Sequence, residues 1–218
     1  MITRSEENYL KTIFSVFMQT QNNVSTNEIA NLLETSPASV TEMIKKLQDK
    51  NLVLYEKYNG VRLSKVGEEK AIAIIRKHRL WETFLVKKMN FNWGEVHDIA
   101  EQLEHIQSPE LVDRLDSFLG FPKFDPHGEP IPTREGKIPA INTIPLSQLE
   151  LGTQGKIIGV TIDEKSFLDY LTKLDISIGS KIKILEKNDF DQSLEIKIDD
   201  TNQHISNNVA EHLLIKIE

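Results

Sequence analysis

The chain has 218 residues and no cysteine, with 39% hydrophobic and 27% charged residues and a net charge of −7. That excludes a disulfide framework and a thiolate metal site. It also excludes a membrane helix, because no run approaches the ~18 apolar residues a span needs. Met1 to Glu7 contain no apolar stretch of the signal-peptide kind, so the expected compartment is the cytoplasm.

Charge is unevenly spread. Residues 1–88 carry 14 Lys+Arg against 10 Asp+Glu, whereas residues 89–218 carry 12 against 23. A mildly basic first part on an acidic remainder suits a DNA-binding module with a cation-binding body, although solvated surface charge reads the same way.

Taken in chain order, residues 5–20 place Tyr9, Leu10, Ile13, Phe14 and Phe17 at helical spacing. Gln21-Asn22-Asn23 breaks that helix, and Ser25-x-x-Glu28 opens a short second one bearing Ile29, Leu32 and Leu33. Thr35-Ser36-Pro37 predicts a tight turn, with Ser36 capping a third helix and Pro37 at its first position. Val40, Met43, Ile44 and Leu47 are its expected inner face. The period then changes to that of strands. Residues 52–58 and 61–63 flank Asn59-Gly60, a strong hairpin signal. Two short helices, a tight turn and a hairpin in this order predict a winged helix-turn-helix.

Helices are expected over 64–89, 93–107 and 108–119. Residues 120–145 hold six of the eight prolines and read as a linker. Residues 146–218 read mostly as strands, at 182–185, 194–198 and 213–217, with a helix at 167–174, and predict a small β-barrel.

His97, Glu101, Glu104 and His105 fall at i, i+4, i+7 and i+8, one stripe of a helix. His78 and Glu82 are also i, i+4 on the helix before. A single such pair is most simply a solvated ion pair. Six residues on two consecutive helices point to a metal, and imidazole with carboxylate favours Mn²⁺ or Fe²⁺, with Zn²⁺ accepted in vitro. Asp125 and His127 in a Pro-rich loop, and Asp163 with Glu164 before the 167–174 helix, are weaker candidates; the first pair reads equally as a turn, the second as a helix cap.

For DNA, the third helix offers Ser36, Pro37, Ala38, Ser39 and Thr41 at its start, where short side chains reach base edges. Lys45, Lys46, Lys57, Tyr58 and Arg62 are candidate phosphate contacts from helix and wing.

SEENYLKTIF at 5–14, SPASVTEMIKKL at 36–47, YEKYNGVRLS at 55–64, RKHRL at 76–80, VHD at 96–98 and EH at 104–105 stand in family order and spacing. Together they resemble the diphtheria-toxin-repressor and manganese-transport-regulator family of metal-dependent repressors. The resemblance implies a mainly α N-terminal two-thirds followed by an SH3-like, FeoA-like small β-barrel. Its parts would be a winged helix-turn-helix at 1–64, a helical metal-binding and dimerisation domain at 65–121, a Pro-rich linker at 122–145 and the SH3-like domain at 146–218.

It further implies a homodimer on operator DNA and two metal positions. Glu101, Glu104 and His105 with position 8 would form the first, and His78, Glu82 and His97 the second. Longer, manganese-type members use residues like Asp125 and His127 with an acid such as Asp163, and the resemblance leaves open which second set operates. One departure, at position 8, and one choice between family types, at position 101, stand out. Position 8 is Asn8, an oxygen ligand without charge, and Glu101 stands where iron-sensing members carry Cys, which favours manganese. On this reading metal ties the first helix to the dimer body and selects the spacing of two recognition helices, roughly 34 Å apart.

Two rivals remain at this point: a winged-helix regulator not gated by metal, and a di-metal enzyme. The enzyme would need paired Glu-x-x-His motifs, where this chain has Glu101-x-x-Glu104-His105, so the expectation is that the protein is not an enzyme.

Overall fold

Thr3 starts the first helix with a reciprocal capping box: its hydroxyl accepts from the Glu6 amide, and the Glu6 carboxylate accepts from the Thr3 amide. Helix α1 (Arg4–Thr20) buries Tyr9, Leu10, Ile13, Phe14 and Val16. Helix α2 (Thr26–Leu32) is capped by Ser25, and α3 (Pro37–Asp49) by Ser36 with Pro37 in its first turn. Val40, Ile44 and Leu47 are the buried side of α3, while Leu32 of α2 is exposed.

The wing is a hairpin of β1 (Val53–Glu56) and β2 (Gly60–Leu63), in register from Val53 opposite Leu63 to Glu56 opposite Gly60. Gly60 has φ +88°, and a side chain there would meet the Val24 carbonyl at 2.7 Å. Val24 adds a third rung by exchanging backbone hydrogen bonds with Val61 at 2.8 and 2.9 Å. That rung had no signal in the sequence, because one isolated Val carries no alternation.

Ser64 caps α4 (Lys65–Met89) through the Gly67 amide. Next come α5 (His97–Leu103) and α6 (Pro109–Phe118). The helix expected over 93–107 is therefore shorter. Asn92 caps a 3-10 turn at Trp93–Glu95, and the Ile106 amide turns back to the Leu103 carbonyl, ending the helix before Glu104. Glu104 and His105 consequently do not continue the helical stripe of His97 and Glu101.

The C-terminal region contains β3 (Ile144–Pro145), β4 (Gln154–Val160), α7 (Lys165–Lys173), β5 (Lys181–Lys187), β6 (Leu194–Ile198), β7 (Thr201–Ile205), α8 (Asn207–Glu211) and β8 (Leu213–Ile217). The antiparallel sheet runs β3–β8–β4–β5–β6–β7, with bulges in β4 and β5 that curl it. Alternate residues Ile182 and Ile184, then Leu194, Ile196 and Ile198, enter one core with Leu146, Ile157, Leu168 and Leu171. This is the SH3-like β domain, with α7 packed into its core. Strand β7, with Ile205 its one large apolar residue, and the single-turn α8 escaped the sequence reading.

A computed structural model describes residues 2–56 and 59–217, which leaves Met1, Lys57, Tyr58 and Glu218 outside. The chain divides into two units. The first comprises Met1–His78, Gln102–Asp113 and Pro132–Lys137; the second comprises Arg79–Glu101, Arg114–Ile131 and Ile138–Glu218. Among the described residues no helix is long and apolar enough to cross a membrane.

Candidate metal centre and nucleic-acid face

In the second unit a Pro-rich loop turns back on itself. The Asp125 amide bonds to the Glu129 carbonyl and the Ile131 amide to the Lys123 carbonyl. Asp125 Oδ1 accepts from the His127 and Glu129 amides at 2.8 and 3.0 Å, an Asx-type turn. Gly128 allows the reversal with φ +84° and lies flat on β4, where an added Cβ would fall 1.9 Å from the Ile158 carbonyl oxygen. The Val160 amide bonds to the His127 carbonyl at 3.0 Å. The stretch expected as a linker is, in this part, fixed structure, because its backbone polar groups are satisfied by the loop itself and by the sheet.

That loop brings Asp125 and His127 to Glu82 of α4. All three are buried, and each offers a ligand atom within 4.8 Å of the others'. His127 stacks on Trp93, ring centroids 6.1 Å apart, and its Nε2 lies 2.9 Å from the Trp93 carbonyl. A carbonyl only accepts, so Nε2 carries the proton and Nδ1 faces Glu82 Oε2 at 3.6 Å. Asp125 Oδ2 is buried without a hydrogen-bond partner among the described residues, and the Arg79 guanidinium stands 3.6 Å away. Beside them, His97 Nδ1 lies 3.0 Å from Asp163 Oδ2 and 3.7 Å from Glu82 Oε1, and His97 Nε2 is 3.9 Å from Glu101.

The electrostatics show what this cluster lacks. Burial, with the charges of Glu82 and Glu129, pushes the Asp125 carboxyl up to about 7. Burial opposes charge on His127, yet its bond to Glu82 and the charges of Glu82 and Asp125 raise it to about 9. The neighbouring carboxylates of Asp163 and then Glu82 raise His97 to about 10, and His97 in turn holds Asp163 below the usual range. The three raised groups, Asp125, His127 and His97, hold protons that neutralise crowded carboxylates. A buried oxygen without a donor, in a set of carboxylates and an imidazole whose Nδ1 faces them, fits a hard divalent cation.

The first unit gathers a different set around α1. His105 Nδ1 meets Glu7 Oε2 at 2.5 Å, and Gln107 donates to Glu7 Oε1 at 2.6 Å. Lys11 Nζ donates to Glu104 Oε2 at 2.9 Å and lies 3.3 Å from His78 Nδ1, which itself meets Glu104 Oε2 at 2.5 Å. Burial works to raise Glu104, but the bond to His78 and the Lys11 charge outweigh it and hold the carboxyl low. Asn8 Oδ1 is buried without a hydrogen-bond partner among the described residues. Of the ligands expected for the first position, Asn8, Glu104 and His105 lie in this unit and Glu101 in the other; of the second, His78 lies here and Glu82 and His97 there. Glu7 was missed, because its partners sit about a hundred residues away and sequence spacing cannot show that.

Three family models match the chain. The N-terminal DNA-binding domain of iron-dependent repressors covers residues 1–61, their metal-binding and dimerisation domain 64–133, and the FeoA domain 144–217. An uncharacterized HTH-type transcriptional regulator of Methanocaldococcus jannaschii is 35% identical over 118 residues, 54% of this chain and 94% of that protein. The HTH-type transcriptional regulator MntR of Listeria monocytogenes is 30% identical over 133 residues, 61% of this chain and 91% of its own. The chain belongs to the metal-dependent repressor family of the diphtheria-toxin and manganese-transport type. A solved manganese-dependent transcriptional repressor in complex with manganese superposes with TM-score 0.87 at 32% identity, covering 98% of this chain and all of that one.

The helix that members of this repressor family are expected to lay in DNA is α3. Ser36, Pro37, Ala38, Ser39, Lys45 and Lys46 are exposed and Thr41 half-buried, as is needed to reach a groove. Ser36 Oγ accepts from the Ser39 amide and shares a 2.9 Å bond with the Ser39 hydroxyl, and Thr41 Oγ1 donates to the Pro37 carbonyl. These bonds pre-set the side chains of the first turn. Arg62 is exposed on β2; the expected contacts Lys57 and Tyr58 lie outside the described residues.

Proposed function

We propose that this protein is a metal-dependent transcriptional repressor of manganese or iron homeostasis, which binds operator DNA as a homodimer. The observation that carries the reading is the buried Glu82–Asp125–His127 cluster, with Asp125 Oδ2 left without a donor. Glu82, Asp125 and His127 would hold the ion, with Asp163 and His97 beside them. When bound, a divalent cation supplies the positive charge that the carboxylates otherwise draw from protons. Oxygen ligands outnumber nitrogen, and sulfur is absent from the set, which favours Mn²⁺, then Fe²⁺, over softer ions.

The chain's own residues do the rest. Glu82 fixes the centre to α4, and the Asp125 turn with Gly128 presses the loop onto β4. Holding these together selects one arrangement of the chain from those it samples. The leverage is limited to the difference in ion affinity between arrangements. On DNA, Ala38, Ser39 and Thr41 are placed for base edges, and Lys45, Lys46 and Arg62, with Lys57 and Tyr58, for phosphates. Half-exposed Leu111 and exposed Phe118 give α6 an apolar side for the second copy. The domain limits follow the order winged helix, helical body, Pro-rich segment and SH3-like domain. A DNA-binding role places the protein in the cytoplasm and requires no catalysis.

The test is manganese titration of chelator-stripped protein by calorimetry, repeated on Asp125→Ala. Saturable binding that Asp125→Ala weakens, with a cooperative melt retained in chelator, is the expected result. Equal binding by the two proteins would contradict the assignment, and no binding by either would favour a winged-helix regulator not gated by metal.

A further inference from the structure

Two clusters carry the ligands that the family would give to metal. Each keeps buried oxygens without a hydrogen-bond partner among the described residues, Asp125 Oδ2 in one and Glu104 Oε1 with Asn8 Oδ1 in the other, and they differ in the cation that stands among them. Around Glu82, Asp125 and His127 the nearest fixed cation is Arg79, 3.6 Å from Asp125 and also held by Glu129 at 2.8 Å. Around Glu104 a cation is already in place. Lys11 Nζ is 2.9 Å from Glu104 Oε2 and 3.3 Å from His78 Nδ1, with the Lys11 side chain 19% and the Glu104 side chain 1% exposed. The other carboxylate of the cluster, Glu7, is engaged at both oxygens, by His105 and Gln107. Asn8 brings no charge. The cluster thus offers two carboxylates against the Lys11 ammonium bonded to Glu104, with Lys77 also close enough for its charge to act on Glu7 and Glu104, and an entering dication would have to sit beside the Lys11 ammonium or expel it from a largely buried position, where like charges repel strongly.

We propose that Lys11 is the resident cation of the α1 cluster, so that this side is closed by the chain itself and the protein takes up a single tight divalent ion, at Glu82–Asp125–His127. Lys11 then acts as a positioning residue: it ties the first helix of the winged helix to Glu104 and His78 whether or not metal is present. The proposal rests on the metal-gated reading above and assigns the gate to one cluster.

The experiment is Mn²⁺ stoichiometry on the full chelator-stripped chain, read by electron paramagnetic resonance of free Mn²⁺ at ion concentrations near the protein's. Wild type, Asp125→Ala, Lys11→Met and the double variant are compared. The proposal expects one tight ion in wild type, none in Asp125→Ala, a second in Lys11→Met, and one in the double variant. Two tight ions in wild type, one of them surviving Asp125→Ala, would overturn it while leaving the metal-gated reading intact. Unchanged stoichiometry in a folded Lys11→Met would also overturn it. If Lys11→Met does not fold, the wild-type and Asp125→Ala pair still decides. Wild type binding no Mn²⁺ would overturn both.

Discussion

Asp125 concentrates the chemistry of the second unit in one side chain. One oxygen is spent on the turn that positions His127, and the other is buried without a donor. Its removal should therefore cost ion binding through Oδ2 and loosen the loop through the two amide bonds lost at Oδ1. Asp125→Ala is expected to weaken Mn²⁺ by on the order of a hundredfold or more, with titration calorimetry as the check and an affinity change below threefold as the contrary result. The protons held there give a pH dependence with a defined sign. Without metal, His127, raised to about 9, keeps its Nδ1 proton at pH 7, and Asp125, raised to about 7, is about half protonated. Ligation needs both protons gone. Ion uptake should release protons, and affinity should rise from pH 6 to 8. Calorimetry in two buffers of different ionisation heat reads the release directly, and identical heats would contradict it.

The elements set how precisely these residues meet. Gly128 lies against β4 in a left-handed conformation, so Gly128→Ala should cost about 2–4 kcal/mol from backbone strain and steric overlap together. It should also loosen the ion site; a melt unchanged from wild type would show that the loop does not need this contact. On α3, neutralising Lys45 and Lys46 together should weaken specific and non-specific DNA alike and flatten the salt dependence by about two ionic contacts. Ser39→Ala should weaken operator more than random duplex, and equal losses would remove Ser39 from base reading. The α3 assignment was legible because the Ser36–Pro37 start and the inward Val40, Ile44 and Leu47 are local signals. The wing's third rung was not legible, since Val24 meets Val61 across 37 positions. The positions of Glu104 and His105 were not legible. The turn that ends α5 depends on a single amide bond that helical spacing extrapolated through.

For the whole molecule, the order of winged helix, helical body and β domain was readable from changes of period and from the proline-rich stretch. The distant partners of the candidate ligands were not. His78 and Glu82 stand at i, i+4, and each also reaches across the sequence: His78 bonds Glu104 and Lys11, and Glu82 groups with Asp125 and His127. Contacts over such separations are set by tertiary folding, which one sequence does not display. Phe118, 63% exposed with Phe84 and Lys88 around it, belongs at this scale too. Phe118→Asp should shift the protein toward monomer in sedimentation and reduce operator affinity; a dimer of undiminished strength would exclude that side of α6 from the interface.

The most direct measurement is operator binding, followed by fluorescence anisotropy, while Mn²⁺ is added stepwise to chelator-stripped wild type and Asp125→Ala. DNA affinity that rises as the tight ion binds to wild type, and stays flat for Asp125→Ala over the same range, is the predicted result. The same rise in both proteins, or DNA binding indifferent to Mn²⁺ in wild type, would contradict a repressor gated at Glu82–Asp125–His127.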